Sequence, residues 1–143
     1  MERAEGRCLC GSVRYTVHSK PLVIRSCWCK VCQTIASGNA TINLAFPTNA
    51  VIIKGKLKDY VSIADSGNRM HRRFCPDCGT HLFSEAEERP NMIVVRAGTL
   101  DHSEQVRVEG IIWTGEAPAW ADLDPSVPHF EGQPPAPLIT DHN

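Results

Sequence analysis

Long apolar runs are missing from this chain of 143 residues: the longest extend over a few positions, against the ~20 that a membrane-spanning helix needs. No membrane partner is therefore expected. A charge of one sign is missing as well. Fifteen Lys and Arg stand against 16 Asp and Glu, for a formal charge of −1. That balance excludes the basic footprint of a nucleic-acid binder. Arg69, Arg72 and Arg73 cluster locally; the ordinary reading of one such cluster is a solvated strand face, and the alternative is pairing of a guanidinium with the carboxylates of a small-molecule ligand. The opening Met1-Glu2-Arg3-Ala4-Glu5-Gly6 lacks the apolar stretch of a secretion signal. The expected compartment is thus the cytoplasm, which is reducing.

Cysteine, by contrast, is abundant. There are seven, an odd count that would leave one thiol outside any disulfide framework. They fall into three tight groups: Cys8 and Cys10, then Cys27, Cys29 and Cys32, then Cys75 and Cys78. Close spacing suits metal ligation, because one ion needs several thiolates within a few ångströms. Cys75-Pro76-Asp77-Cys78-Gly79 reads as a zinc knuckle, and Cys8-Leu9-Cys10-Gly11 is its natural partner. Together they offer four thiolates, a closed structural site. A second partition joins Cys75 and Cys78 to two of the middle three, and iron fits four thiolates as well as zinc does. The first partition uses every thiol. It leaves Cys27, Cys29 and Cys32 as a three-ligand site, the number that catalytic zinc takes when one position stays open. A closed reading, with His71 or His81 as the fourth ligand, stands beside it. A redox reading of Trp28-Cys29-Lys30-Val31-Cys32 needs a βαβ setting and leaves Cys27 unexplained.

Three thiolates on one Zn²⁺ leave a net charge near −1. Such an ion activates water poorly compared with a neutral-ligand site, but it remains a good soft site for another sulfur. A substrate thiol is the better fourth ligand.

Around these groups the pattern is one of short strands. Val13, Tyr15 and Val17 alternate with polar residues, as does the run Ala40 to Phe46. Val51 to Ile53, Tyr60 to Ile63, Leu82-Phe83, Met92 to Val95 and Val106 to Trp113 read as further strands. Met70, Arg72 and Phe74 fall on one side of another, which leads into Cys75. Lys30 to Ser37 predicts a short helix, ended by Gly38-Asn39. After Trp113 the prolines at 118, 125, 128, 134, 135 and 137 predict an irregular surface tail, pinned by Trp113, Trp120 and Phe130. No partner is assigned to His18, His129 or His142. The expectation is one mainly β domain over residues 1–143, its core at about 5–121 and its Pro-rich tail at 122–143, with antiparallel strands in one or two sheets.

Gly6-x-Cys8-x-Cys10-Gly11, Cys27-x-Cys29-x-x-Cys32-Gln33 and Phe74-Cys75-x-x-Cys78-Gly79 resemble, in that order, the glutathione-dependent formaldehyde-activating enzyme family, whose domain also occurs in centromere-protein-V-like proteins. Ala97-Gly98-Thr99-Leu100-Asp101, Trp113 and Trp120 resemble it too. The resemblance implies a mainly β, zinc-bearing, Mss4-like fold and two zinc ions per chain. One would be structural on Cys8, Cys10, Cys75 and Cys78, the other catalytic and labile on Cys27, Cys29 and Cys32. It also implies a carbon–sulfur lyase that makes S-hydroxymethylglutathione from glutathione and formaldehyde, acting on a small-molecule thiol. Homo-oligomerisation is compatible with it. The alternative is a non-catalytic zinc module that binds a protein partner. Two positions depart from the family pattern: Trp28 stands where the family usually has His, and Asp101-His102 where it often has a doubled Asp. Neither change removes a ligand. Both bear on the substrate. Trp28 would either stack on it or pack internally.

Overall fold

The structure, a computed structural model, describes residues 1–139. In chain order its strands are β1 (Ala4–Arg7), β2 (Arg14–Val17), β3 (Val23–Cys27), β4 (Thr41–Pro47), β5 (Val51–Lys54), β6 (Lys58–Ile63), β7 (Arg69–Phe74), β8 (His81–Ala86), β9 (Met92–Arg96) and β10 (Gly110–Ile112). The helix α1 (Lys30–Ile35) follows β3. Mainly β was the expectation, and mainly β is the result. β1, β2 and β5 form a three-stranded sheet, and the other seven strands form a second, in the order β10-β3-β4-β9-β8-β7-β6.

Period-two alternation gives the seven-stranded sheet two different faces. One buries Ile24, Leu44, Phe46, Phe83, Ile93 and Val95 against Val13, Tyr15 and Val17 from the smaller sheet's side. Tyr15 meets Phe83 edge-on at 5.2 Å and its hydroxyl lies 2.8 Å from Thr99 Oγ1. Gly6 on β1 makes room for that ring, since a Cβ there would lie 2.3 Å from it and 2.4 Å from the Thr99 carbonyl oxygen. The other face is polar, and cross-strand register aligns it in rows. Arg25, Asn43 and Arg96 are successive partners across β3, β4 and β9. Ala45, Val94, Ser84 and Arg72 are successive partners across β4, β9, β8 and β7. Cys27 ends β3 on this same face, opposite Thr41.

Three elements differ from expectation. β1 is absent from the pattern reading because Ala-Glu-Gly-Arg carries no alternation; pairing with β2 makes it a strand. The run from Val106 to Trp113 shrinks to Gly110–Ile112, and it pairs with β3 in parallel, whereas the other paired strands described in the two sheets run antiparallel. The helix stops at Ile35, with Ser37 and Gly38 both at positive φ beyond it. The tail is irregular, as its prolines require, yet it is tied to β10. His129 bridges to Ile111, Ile111 N–H donates to the Pro128 carbonyl at 2.9 Å, and Phe130 N–H donates to the Ile111 carbonyl at 2.9 Å. His129 also has a side-chain partner, the Asp124 carbonyl at 2.7 Å. His142 lies outside the described residues. No described helix is long and apolar enough to cross a membrane.

Candidate functional site

The seven thiols gather into two groups, and these are the first partition read from the sequence. The ligand atoms of Cys8, Cys10, Cys75 and Cys78 lie within 4.8 Å of one another, as do those of Cys27, Cys29 and Cys32. All seven cysteines are free thiols. Both groups can hold a metal ion.

In the four-cysteine group, two turns face each other across a distance of many residues in sequence. Cys8 follows β1, and Gly11 N–H closes its turn onto the Cys8 carbonyl at 3.1 Å. Cys75 follows β7, and Gly79 N–H closes the knuckle onto the Cys75 carbonyl at 2.9 Å. Gly79 has φ 77°, the left-handed region where an L side chain is strained. Sulfurs receive backbone donors: Val13 N–H to Cys8 Sγ at 3.2 Å and Cys78 N–H to Cys75 Sγ at 3.5 Å. Hydroxyls add to these, with Ser12 Oγ 3.1 Å from both Cys10 and Cys75 Sγ, and Thr80 Oγ1 3.1 Å from Cys78 Sγ. The fit to a metal is testable by distance. A tetrahedral zinc with bonds of about 2.3 Å sets its sulfurs about 3.8 Å apart. Cys8 and Cys10 sulfurs are 3.7 Å apart, and those of Cys10 and Cys75 are 3.8 Å apart. The residues fit.

The three-cysteine group is local in sequence and buried, each residue being at most 8% exposed. Cys27 comes from the end of β3, Cys29 caps α1, and Cys32 lies in its first turn. Cys29 Sγ accepts the Cys32 N–H at 3.3 Å. Gln33 pins the stretch by donating from Nε2 to the Trp28 carbonyl at 2.7 Å and to the Glu116 carbonyl at 3.1 Å. Glu116 Oε2 accepts the Lys30 N–H at 2.7 Å, a helix-start contact from 86 residues away that no local pattern could reveal. Ile112, Trp113 and Phe130 pack against the cluster. Crowding keeps the thiols from ionising together. Cys32 is held well below the ordinary thiol range, first by the Cys27 and Cys29 S–H donors and then by the Arg96 charge. Its neighbour Cys27 is pushed up, first by its bond with Cys29, then by that with Cys32 and by burial.

No fourth Cys, His, Asp or Glu joins this cluster among the described residues. His71 and His81, the candidates for a closing ligand, are engaged elsewhere. His71 lies between Asp59, 2.6 Å from Nδ1, and Glu87, 3.3 Å from Nε2. His81 Nδ1 lies 3.3 Å from Arg96 Nε.

The family model "Glutathione-dependent formaldehyde-activating enzyme" matches residues 3–116, a span that contains all seven cysteines. The chain belongs to this family. A Halomonas elongata protein named "Putative glutathione-dependent formaldehyde-activating enzyme" is 28% identical over 102 residues, 68% of this chain and 65% of that protein. The match therefore spans slightly under two thirds of that relative. A crystal structure of a Rhodobacter sphaeroides protein is similar at TM-score 0.56 and 18% identity, over 87% of this chain and 98% of that one. It has the same fold.

In this family member the three cysteines open onto a cavity over the polar sheet face. Arg25, Arg72, Arg89 and Arg96 line it, with Asp65 as its carboxylate. Gln133 and Pro137 line it too, from beyond the family match. Gln133 Oε1 accepts the Trp113 Nε1–H at 3.0 Å. Trp28 is not on the wall. It is 4% exposed and meets Trp120 edge-on at 6.1 Å, so it packs internally. Trp120 itself is 68% exposed and pins the tail less firmly than Phe130 does. Asp101 and His102 border a different concavity, beside β1.

The three arginines of β7 separate. Arg69 pairs with Glu87 at 2.9 Å, as a solvated strand face would, and Arg73 with Glu85 at 2.7 Å in a half-buried setting. Arg72 does not follow them. It is 6% exposed, and its Nη1 donates to Ser62 Oγ at 2.6 Å. The signal for this was legible, since Arg72 shares a side of β7 with Met70 and Phe74. Burial, followed by the charges of Arg96 and Arg72, lowers His81 to about 4.

Proposed function

We propose that the chain is a zinc-dependent carbon–sulfur lyase that reversibly joins a thiol to a small carbonyl compound, with glutathione and formaldehyde the leading pair, in the cytoplasm. The observation that carries this reading is the three-thiol cluster: it is one donor short of a tetrahedral set and it faces a cavity. A zinc ion held by Cys27, Cys29 and Cys32 would supply a soft positive centre that favours the substrate's thiolate over its thiol. In the joining direction the sulfur lone pair forms the C–S bond, the C=O π pair moves to oxygen, and the proton lost from sulfur ends on that oxygen. Cleavage is the reverse. The residues' part is to hold and orient. Gln33 and Glu116 fix the start of α1, so that Cys29 and Cys32 keep their positions relative to Cys27. Arg96, buried and within Coulombic reach of all three thiols, offsets their negative charge. Ile112, Trp113 and Phe130 shield one side from water. Cys8, Cys10, Cys75 and Cys78 hold the structural ion in this reading and take no part in the chemistry.

The test is metal analysis combined with turnover, read by NMR exchange of formaldehyde in the presence of glutathione. Two zinc ions per chain are expected, one for each thiol group, with the ion of the three-cysteine site removed first by chelator. Cys29→Ser is expected to retain one ion, fold normally and lose turnover. If Cys29→Ser unfolds the chain as Cys75→Ser does, or if wild type takes up a single ion, the reading is wrong.

A further inference from the structure

Two guanidinium groups are buried on the polar face of the large sheet, Arg72 at 6% and Arg96 at 9% exposure. A buried charge is costly unless something compensates it. Arg96 has compensation in the three thiols, in Asn43 Oδ1, to which Nη1 donates, and in His81. Arg72 has much less. Its neighbours on β7 each have a carboxylate, whereas Arg72 has the neutral Ser62 hydroxyl and no ion pair among the described residues. Its Nε–H is buried without an acceptor. His81 repeats the pattern. Arg96 can only donate, so His81 Nδ1 accepts and the ring proton sits on Nε2, which is also buried without an acceptor. Two unmatched donors thus flank Arg96.

The position of Arg72 says what should match it. Register sets it on the same sheet face as Arg96, and it lines the cavity that contains the three sulfurs. A ligand that reaches the sulfurs therefore lies in a space bordered by a buried cation lacking its anion. Guanidinium pairs best with a planar oxyanion through two parallel bonds. Leaving such a donor unmatched costs more than a typical hydrogen bond contributes. Arg25 and Arg89, on the same wall, keep the local potential positive.

We propose that Arg72 determines substrate specificity by receiving a carboxylate of the thiol substrate, in the cavity that also contains Cys27, Cys29 and Cys32. This rests on the thiol-binding reading above and narrows it to thiols that carry an acid group. A neutral thiol of similar size should reach the sulfurs and bind more weakly. The role is one of positioning and selection, since Arg72 touches the acid end of the ligand and not the reacting carbon.

Titration calorimetry of the zinc-loaded full chain tests this with glutathione and with glutathione diethyl ester, which keeps the thiol and masks both carboxylates. Wild type is expected to prefer the acid by on the order of tenfold. Arg72→Met is expected to bring the two within about twofold, and Arg72→Lys to restore part of the preference, since charge returns without the planar fork. Sulfur binding is read separately, from the visible spectrum of the cobalt-substituted protein with the ester. Equal binding of acid and ester by wild type, with the spectral change intact, overturns the assignment of Arg72 and leaves the thiol reading standing. A spectrum unmoved by either thiol overturns both. Inorganic phosphate serves as a third probe. If it binds wild type but not Arg72→Met, while acid and ester bind equally, the site takes a free oxyanion and the substrate-carboxylate assignment fails. Should Arg72→Met not fold, the wild-type acid and ester pair together with Arg72→Lys decide the matter.

Discussion

The two thiol groups use the same side chain to opposite ends. The four-cysteine group joins turns that follow β1 and β7, and its sulfurs are already spaced for a tetrahedral ion. It runs from core to surface, with Cys8 and Cys75 buried, Cys78 half-buried and Cys10 exposed. The three-cysteine group comes from one continuous stretch, is buried, and opens onto a cavity. Sequence separation is what distinguishes them. A link between distant segments constrains the whole chain, so its loss is global. A link within a single strand-to-helix turn constrains little that the backbone does not already hold, which under the proposed function would leave a bound ion free to serve chemistry.

Four substitutions would break or sharpen that contrast. The largest effect is expected from Cys75→Ser. A structural zinc site contributes a free energy comparable to a domain's entire stability, and the melting temperature should fall by more than ~15 °C, with activity lost as well. Cys29→Ser comes next. Turnover should drop by on the order of a thousandfold, yet the melting temperature should move by less than ~3 °C. Serine preserves an acceptor for the Cys32 N–H, and serine is a favoured helix cap. Comparable melting losses in the two variants would erase the distinction between staple and site.

Gly6→Ala should cost about 1–3 kcal/mol by denaturant unfolding. The new methyl meets the Tyr15 ring and the Thr99 carbonyl, and the latter is backbone that cannot swing away. The damage lies in β1, which feeds Cys8, so the four-cysteine metal should become easier to chelate while turnover per folded molecule holds. The smallest effect is a pH dependence. In the fold His81 titrates at about 4, against about 6.5 unfolded. Above about pH 6.5 both states are neutral and His81 contributes nothing to the pH slope. As pH falls through that value the unfolded chain takes up a proton that the fold refuses, so stability declines until about pH 4. Loss of zinc in acid adds its own decline. His81→Gln should therefore flatten the curve between pH 6.5 and 4 relative to wild type without removing the slope, and identical curves would assign the whole effect to the metal sites.

The thiol groups were legible in the sequence because metal spacing is local, and the structure assembles them in the preferred partition. The central strands were legible because they alternate. What escaped detection depends on pairing or on distance. Ala4–Arg7 is a strand only because β2 pairs with it, and β10 is short because only Gly110–Ile112 lies along β3. The cap that Glu116 places on α1 joins positions far apart in the chain. Arg72 lies between these cases. Its alternation with Met70 and Phe74 implied an inward side, but the flanking Arg69 and Arg73 made the charge look solvated. The sequence allows Trp28 either to stack on a substrate or to pack internally, and its contact with Trp120 selects packing. The substrate question that Trp28 raised passes instead to the arginines.

The cavity wall contributed by Gln133 and Pro137, beside Phe130 packed on the cysteine cluster, has a consequence for biosynthesis. During translation Cys27, Cys29 and Cys32 emerge together and early, able to capture metal while most of the sheet is still unmade. The four-cysteine site must wait for Cys78, and the cavity for residues nearly sixty positions later still. Metal acquisition at the three-cysteine cluster can thus precede completion of the pocket to which selectivity is assigned in our proposal. If the proposed function holds, a nascent chain would be able to bind thiols before it could discriminate among them.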